Sequence, residues 1–340
     1  MDKNLPPGVV LGMANDEYHA HPALGSSGLK RFSITPAHYW ASYLDPERES
    51  VDKKHFRIGR AWHCAVFEPS EFEKRYTTDH DAHPATNKAK LLKSVLAGEV
   101  ALESLIALPE GLSPTSKECK ALAAELQASG STPCAPEDFD FVSKWHPLLN
   151  GCDVLDEKSM RGVFRMADRA RDLPISRVVF DEYARHGMAE ASLFYRDHVS
   201  GVELKIRPDY MLTPCKLFPN GLIIDGKTTT DASEDGFGRG VWNLGYGWQA
   251  ALYPMVYQGV FNTPEPPAFL WLAQEKESPY AARYYAAAQD LREHYLSKIT
   301  DLLPSFAECQ RLDRWAPYPP TVKTLSVPGW AQKQIDEAAQ

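Results

Sequence analysis

Apolar and polar residues alternate from Val202 to Met211, the period of a strand with two unlike faces. Leu204, Ile206 and Tyr210 fall on one side, and Lys205, Arg207 and Asp209 on the other. Pro214, Pro219, Asn220 and Gly221 then supply turn chemistry. A second strand is expected from about Leu222 to Thr228, with Asp225, Lys227 and Ile223 sharing a face. Folded as an antiparallel hairpin, the pair brings Asp209 near Asp225 and Lys227. Trp242 to Val260 follows a helical period, with apolar residues at Leu244, Trp248, Ala251, Leu252, Met255 and Val256. Pro254 removes one backbone bond there and predicts a kink. Residues 55–68 predict a mostly apolar helix with Gly59 and His63 one turn apart. Ala191 to Tyr195 reads as a strand preceded by Glu190, and Ala268 to Glu275 as a buried strand.

Elsewhere the pattern is mainly helical. Helices are expected near Ser27–Phe32, Pro36–Tyr43, Lys88–Leu105, Lys117–Ser129 and Pro136–Leu149. Thr132-Pro133 breaks the run, and Pro136 suits the first position of the next helix. A long helix is expected from Tyr280 to Gln310, then a Pro-rich extended tail from Trp315. The expected architecture is α/β: a central mixed sheet flanked by helices, with an extra helical layer. As one domain of residues 1–340 it divides into an N-terminal segment and helical layer (8–185), a catalytic sheet core (186–285) and a C-terminal helix and tail (286–340).

Composition changes this picture only at a few points. No run of about twenty apolar residues appears, so no membrane span is expected. The N-terminus lacks the charged-then-apolar layout of a signal peptide. Six cysteines at 64, 119, 134, 152, 215 and 309 form no C-x-x-C pair, which points to free thiols in a cytoplasmic setting and away from zinc or iron–sulfur ligation. The net charge is −8, so any surface that meets nucleic acid must be locally basic. Lys30 with Arg31, Lys53 with Lys54, Arg57 with Arg60, and Lys88 to Lys93 are candidates, each of which also suits a solvated surface run.

The chemistry concentrates in Arg207-Pro208-Asp209 and Asp225-Gly226-Lys227. Mg²⁺ takes oxygen ligands, commonly one or two carboxylates plus water and substrate phosphate. A neighbouring lysine can hold water or offset charge on a phosphate. Gly226 would let an ion approach its carbonyl. Gln249 and Tyr253 lie one helical turn apart and can hydrogen-bond a phosphate or water. His63 could be a ligand or a satisfied core histidine, and Glu190 could face the metal or solvent. The two acids and lysine alone would also fit an exposed hairpin.

In order and spacing, these stretches resemble the PD-(D/E)XK nuclease superfamily, and within it the RecE (exodeoxyribonuclease VIII) catalytic domains of phage and prophage recombination. The resemblance runs through SSGLKRFSITPAHYW, FRIGRAWHCAVFEP, AEASLFYRDHVSGVELKIRPDY, LIIDGKTTTDAS, GYGWQAALY and the late Trp315, Tyr318, Pro328 and Trp330. It implies metal binding by His63, Asp209 and Asp225, water activation by Lys227, and DNA contact and site support by Gln249 and Tyr253. It implies an acidic role for Glu190 and DNA contact by Ser26, Ser27 and Lys30, with Arg207 beside them. The cofactor it implies is Mg²⁺, with Mn²⁺ as a substitute. The activity it implies is 5′→3′ degradation of linear duplex DNA from its ends, leaving 3′ strands for a RecT-like annealing protein. It also implies a homo-oligomer that encloses DNA in a ring. The cysteine pattern separates the chain from iron–sulfur relatives of the Cas4 kind. Two other readings remain at this stage: an endonuclease of the same superfamily, and a non-catalytic module that binds DNA ends.

Overall fold

The computed structural model describes residues 5–48, 57–78, 86–111, 113, 115–149 and 151–338. Strand β1 (Val9–Val10) and helix α1 (Asn15–Ala20) lead into α2 (Ser26–Phe32) and α3 (Pro36–Tyr43). Pro36 opens α3 where no N–H is needed, and the Thr35 side chain caps it by accepting from the His38 amide. α4 (Arg57–Phe67) buries Ala61, Trp62, Ala65 and Val66. After α5 (Pro69–Arg75) and β2 (Tyr76–Thr78) come α6 (Asn87–Leu96), β3 (Leu105–Ala107), α7 (Lys117–Ala128), β4 (Thr132–Cys134) and α8 (Pro136–Leu149). β5 (Asp153–Leu155), α9 (Glu157–Arg171) and α10 (Pro174–Arg177) bring the chain to the sheet region. There follow β6 (Gly187–Ala189), β7 (Ser192–Arg196), β8 (Glu203–Ile206), β9 (Tyr210–Leu212) and β10 (Leu222–Thr229). α11 (Glu234–Leu244), α12 (Gly247–Phe261), β11 (Ala268–Glu275), β12 (Ala282–Ala286), α13 (Gln289–Leu312) and α14 (Gly329–Ala338) complete the order.

The main sheet has the order β12-β11-β10-β9-β6. β10 and β11 run parallel, and the other neighbours are antiparallel, so the sheet is mixed. A second, antiparallel sheet has the order β1-β7-β8. The two-residue period of β10 feeds two cores. Ile223 packs with Met211, Leu252 and Tyr257 on the α12 side. Leu222 and Ile224 pack with Trp62, Val66, Val163 and Met166 on the α4–α9 side. Burial on both faces explains why β10 holds its register so firmly.

The hairpin, the histidine helix, α3, α8 and β11 fall where the sequence places them. Several boundaries do not. Val202–Met211 is not one strand: β8 and β9 lie in different sheets, and Arg207-Pro208-Asp209 carries the chain between them. Pro208 cannot donate to a ladder, so the pairing ends there. Trp242–Val260 is not one helix, because Gly245 takes a left-handed conformation (φ 70°) that stops α11 before α12 begins. The long C-terminal helix starts only at Gln289, since 282–286 pair with β11 as a strand. Lys88–Leu105 ends as a helix at Leu96, and Leu105 opens β3. Thr132-Pro133 lies in β4. The helical layer therefore contains two short parallel pairs, β2–β5 and β3–β4. Lys53 and Lys54 lie outside the described residues.

Candidate active site

The two sheets part company twice, and each parting places a carboxylate at the same spot. Between β8 and β9 stands Asp209; between β6 and β7 stands Glu190. Glu190 has φ 49°, a left-handed backbone unusual for a residue with a side chain, and its N–H donates to the Asp209 carbonyl at 3.2 Å. The register of β9 with β10, Tyr210 against Ile224, then sets Asp209 beside the middle of β10. There the Gly226 amide donates to Asp209 Oδ2 at 2.5 Å.

Glycine at 226 has a steric cause. A Cβ there would come within 2.9 Å of both Phe67 and Trp62. These rings belong to α4, so the absent side chain lets α4 lie against the sheet and brings His63 over the site. His63 Nδ1 stands 3.2 Å from Asp209 Oδ1. The side of Gly226 that a Cβ would occupy is thus filled by aromatic rings.

Asp225 and Lys227 share the opposite face of β10, as two-residue spacing requires. The Lys227 ammonium forms an ion pair with Asp225 Oδ2, and Asp225 is 2 % exposed. From α12, Gln249 Nε2 donates to Asp225 Oδ1 at 2.9 Å and to the Tyr253 hydroxyl at 3.2 Å. The helical spacing of Gln249 and Tyr253 therefore does bring both tips to the carboxylates. Asp225 is thus held at both oxygens, Oδ1 by Gln249 and Oδ2 by the Lys227 ammonium.

Electrostatics follow from three carboxyl groups crowded in a partly dry place. Burial, together with the Asp209 charge, pushes Glu190 up to about 8. Burial also raises Asp225 to about 6, against the opposing pull of Lys227. Burial opposes ionisation of Asp209 too, but the charge and hydrogen bond of His63 outweigh it and hold Asp209 low. The same pairing overcomes burial at His63 and raises it. Lys227 is raised, because Asp225 and Asp209 outweigh its desolvation. At neutral pH this describes a site that keeps a proton on Glu190 and raises the proton affinity of His63 beside Asp209.

The other anticipated residues divide. Ser26, Ser27 and Arg207 line a cavity of about 390 Å³ that also takes in Glu190, Gln249 and Tyr253. Lys30 is one turn further along α2, where its ammonium donates to the Leu244 carbonyl at 2.6 Å. Four participants escaped the sequence reading. Tyr246 holds its ring 5.0 Å from the Lys227 ammonium. Tyr18 lies under Arg207 and Lys205, with cation-to-ring distances of 4.1 and 4.7 Å. Lys205 and Arg48 line the cavity. Tyr246 could have been found three positions before Gln249, where a helix would bring it round to the same side, and Lys205 from the alternation that sets it on one face with Arg207; Tyr18 and Arg48 carry no local signal.

Residues 157–322 match the model of a PDDEXK-like domain of unknown function, DUF3799. The chain carries a PDDEXK-like fold. That match spans the two sheet partings, the Asp-x-Lys strand and the Gln-x-x-x-Tyr helix; His63 lies outside it. A crystal structure named as a "putative exonuclease" from Eubacterium rectale covers 91 % of this chain and 94 % of its own at 14 % identity, with a TM-score of 0.43. The crystal structure of SSO0001 covers 67 % of this chain and 86 % of its own at 12 % identity and a TM-score of 0.26. Both scores are below 0.5, so neither overlay bears on the site. No curated protein matches the chain.

The donors fit a hard divalent cation. Asp209, Asp225 and Glu190 offer oxygen and His63 can offer nitrogen, the donor set such an ion takes. Among the described residues no three His, Cys, Asp or Glu side chains stand in ready-made ligand geometry. Lys227 and His63 now neutralise the two aspartates, so binding an ion requires these pairs to open. No helix among the described residues is long and apolar enough to cross a membrane.

Proposed function

We propose that this protein is a divalent-metal-dependent deoxyribonuclease that degrades linear duplex DNA from its ends, with Mg²⁺ as the natural ion and Mn²⁺ as a substitute. The observation that carries this reading is the convergence of Asp209, Asp225 and Lys227, with Gln249 bonded to Asp225, on the middle of β10. Asp209, Asp225 and Glu190 would hold the ion, with His63 as a further ligand. A bound Mg²⁺ supplies charge to the scissile phosphate and acidifies water. Lys227, released from Asp225, is placed to orient water or donate to a phosphate oxygen, and the Tyr246 ring keeps its ammonium directed at the site. Gln249 and Tyr253 fix the rotamer of Asp225. The resemblance to RecE-type domains supports 5′→3′ polarity, a homo-oligomeric ring and delivery of the 3′ strand to an annealing protein.

The test is Mg²⁺-dependent digestion of linear duplex labelled at either 5′ or 3′ end, beside closed circular duplex, with wild type and Lys227→Ala. Release of 5′ label from linear DNA alone, lost in the variant, supports the reading. Cutting of the circle would replace it with an endonuclease. Wild type that binds DNA ends yet cuts nothing with Mg²⁺ or Mn²⁺ would leave a DNA-end-binding module.

A further inference from the structure

The cavity beside the carboxylate cluster is positively lined although the protein is acidic. Its lining includes Arg48, Lys205 and Arg207 against a single carboxyl, Glu190, whereas the whole chain carries −8. The cations stand in different states of commitment. Lys205 is buried, and its ammonium donates to the carbonyls of Tyr18 and His21 at 2.6 and 2.7 Å. It is therefore a fixed charge beneath the cavity. Arg207 donates from Nε to Ser192 Oγ at 2.9 Å and from Nη2 to the Met13 carbonyl at 3.0 Å. Of its five N–H donors, those on Nη1 find no acceptor among the described residues. Arg48 is exposed and, among the described residues, its guanidinium donates to the Tyr43 carbonyl. Ser26 lines the same cavity and adds a hydroxyl to its donors.

Size narrows the occupant. About 390 Å³ lies at the low end of the roughly 300–1,000 Å³ that holds drug-sized molecules. It suits one nucleotide and excludes a duplex. Glu190, Gln249 and Tyr253 border both this cavity and the carboxylate cluster, so a strand lying across the cluster continues into it.

The geometry points to a subsite for the terminal nucleotide of the cut strand, which holds that nucleotide's phosphate between Arg48, Arg207 and Ser26. This inference rests on the nuclease reading for its place in the reaction, but its ligand, a nucleoside monophosphate, is defined by the cavity itself. A subsite one nucleotide deep would make cleavage count from a strand end, releasing mononucleotides.

The test is calorimetric binding of dTMP to the intact protein in EDTA, with thymidine as the phosphate-free probe, for wild type, Arg48→Ala and Arg48→Lys. Wild type is expected to bind dTMP and not thymidine. Loss of a charge-assisted hydrogen bond predicts about tenfold weaker binding for Arg48→Ala, with partial recovery in Arg48→Lys. Equal binding of dTMP and thymidine, no binding by wild type, or unchanged affinity in Arg48→Ala overturns the subsite. Because no metal and no cleavage enter the measurement, the outcomes separate cleanly. Cleavage of DNA without dTMP binding sinks the subsite alone. Arg48-dependent dTMP binding by a protein that cuts nothing sinks the nuclease reading alone.

Discussion

Glu190 is held protonated at a cost that its own substitution should reveal. Replacing it by glutamine keeps the shape and removes the titration. Its carboxyl is raised from an ordinary 4.5 to about 8 by burial and by the Asp209 charge. In the metal-free protein the folded state therefore keeps a proton that the unfolded chain loses as pH passes 4.5. Folded protein binds more protons in that window, so stability falls as pH rises from about 4.5 to about 8 and is level outside it. At roughly 1.4 kcal/mol per tenfold change in proton affinity, the full penalty above pH 8 has a ceiling of about 5 kcal/mol. The amide gives some of this back because it too must be desolvated. Glu190→Gln is thus expected to be more stable than wild type by about 2–4 kcal/mol at pH 8 and nearly equal to it at pH 4.5. Asp225 titrates in the same direction in both proteins, so the difference between the two curves isolates position 190. Urea unfolding in EDTA at several pH values, followed by circular dichroism, measures it. Parallel curves, or a variant less stable at pH 8, would refute the electrostatic account of the site.

Three further outcomes follow from the same geometry. Gly226→Ala must push Trp62 and Phe67 away from β10; overpacking of this kind costs about 1–3 kcal/mol, read as a lower urea midpoint, and should weaken metal binding through the displaced His63. Gln249→Ala leaves the buried Asp225 Oδ1 without its donor, which should cost about 1–3 kcal/mol in EDTA, and the deficit should shrink when Mg²⁺ is added, by unfolding measured with and without the ion. Since Glu190, raised to about 8, holds a proton in the metal-free site, Mg²⁺ binding should release protons near pH 7, so that calorimetric heats vary with the ionisation enthalpy of the buffer; heats independent of buffer would contradict this.

The chemistry of β10 was legible because a strand buried on both faces has a strict period. Ile223, Asp225 and Lys227 had to share a face, and Leu222, Ile224 and Gly226 the other. The Gln249–Tyr253 pair was legible for the equivalent helical reason. What the pattern concealed were points where regular periodicity runs through an interruption. Val202–Met211 alternates without a break, yet the chain changes sheets at Pro208; the alternation survives because both sheets bury one side of the segment. The period from Trp242 to Val260 likewise runs across Gly245, and only the left-handed glycine marks the stop. In both cases the glycine or proline was visible and outweighed by the apolar pattern. The short pairs β2–β5 and β3–β4 left no comparable mark, since strands of three residues are specified by distant partners.

These interruptions also explain why the site lies where it does. A continuous β8–β9 strand would have left Asp209 within a ladder, its side chain on the same face as Lys205 and Arg207. The break at Pro208 separates them: Lys205 and Arg207 stay with the second sheet and line the cavity, while Asp209 turns to meet Gly226 and His63. Glu190 makes the matching turn between β6 and β7, with its strained backbone bonded to Asp209. The cationic cavity and the acidic cluster are therefore two sides of one topological feature, the line along which the sheets diverge. Restoring continuity at position 208 would merge them, since the proline is what ends the pairing between the two sheets.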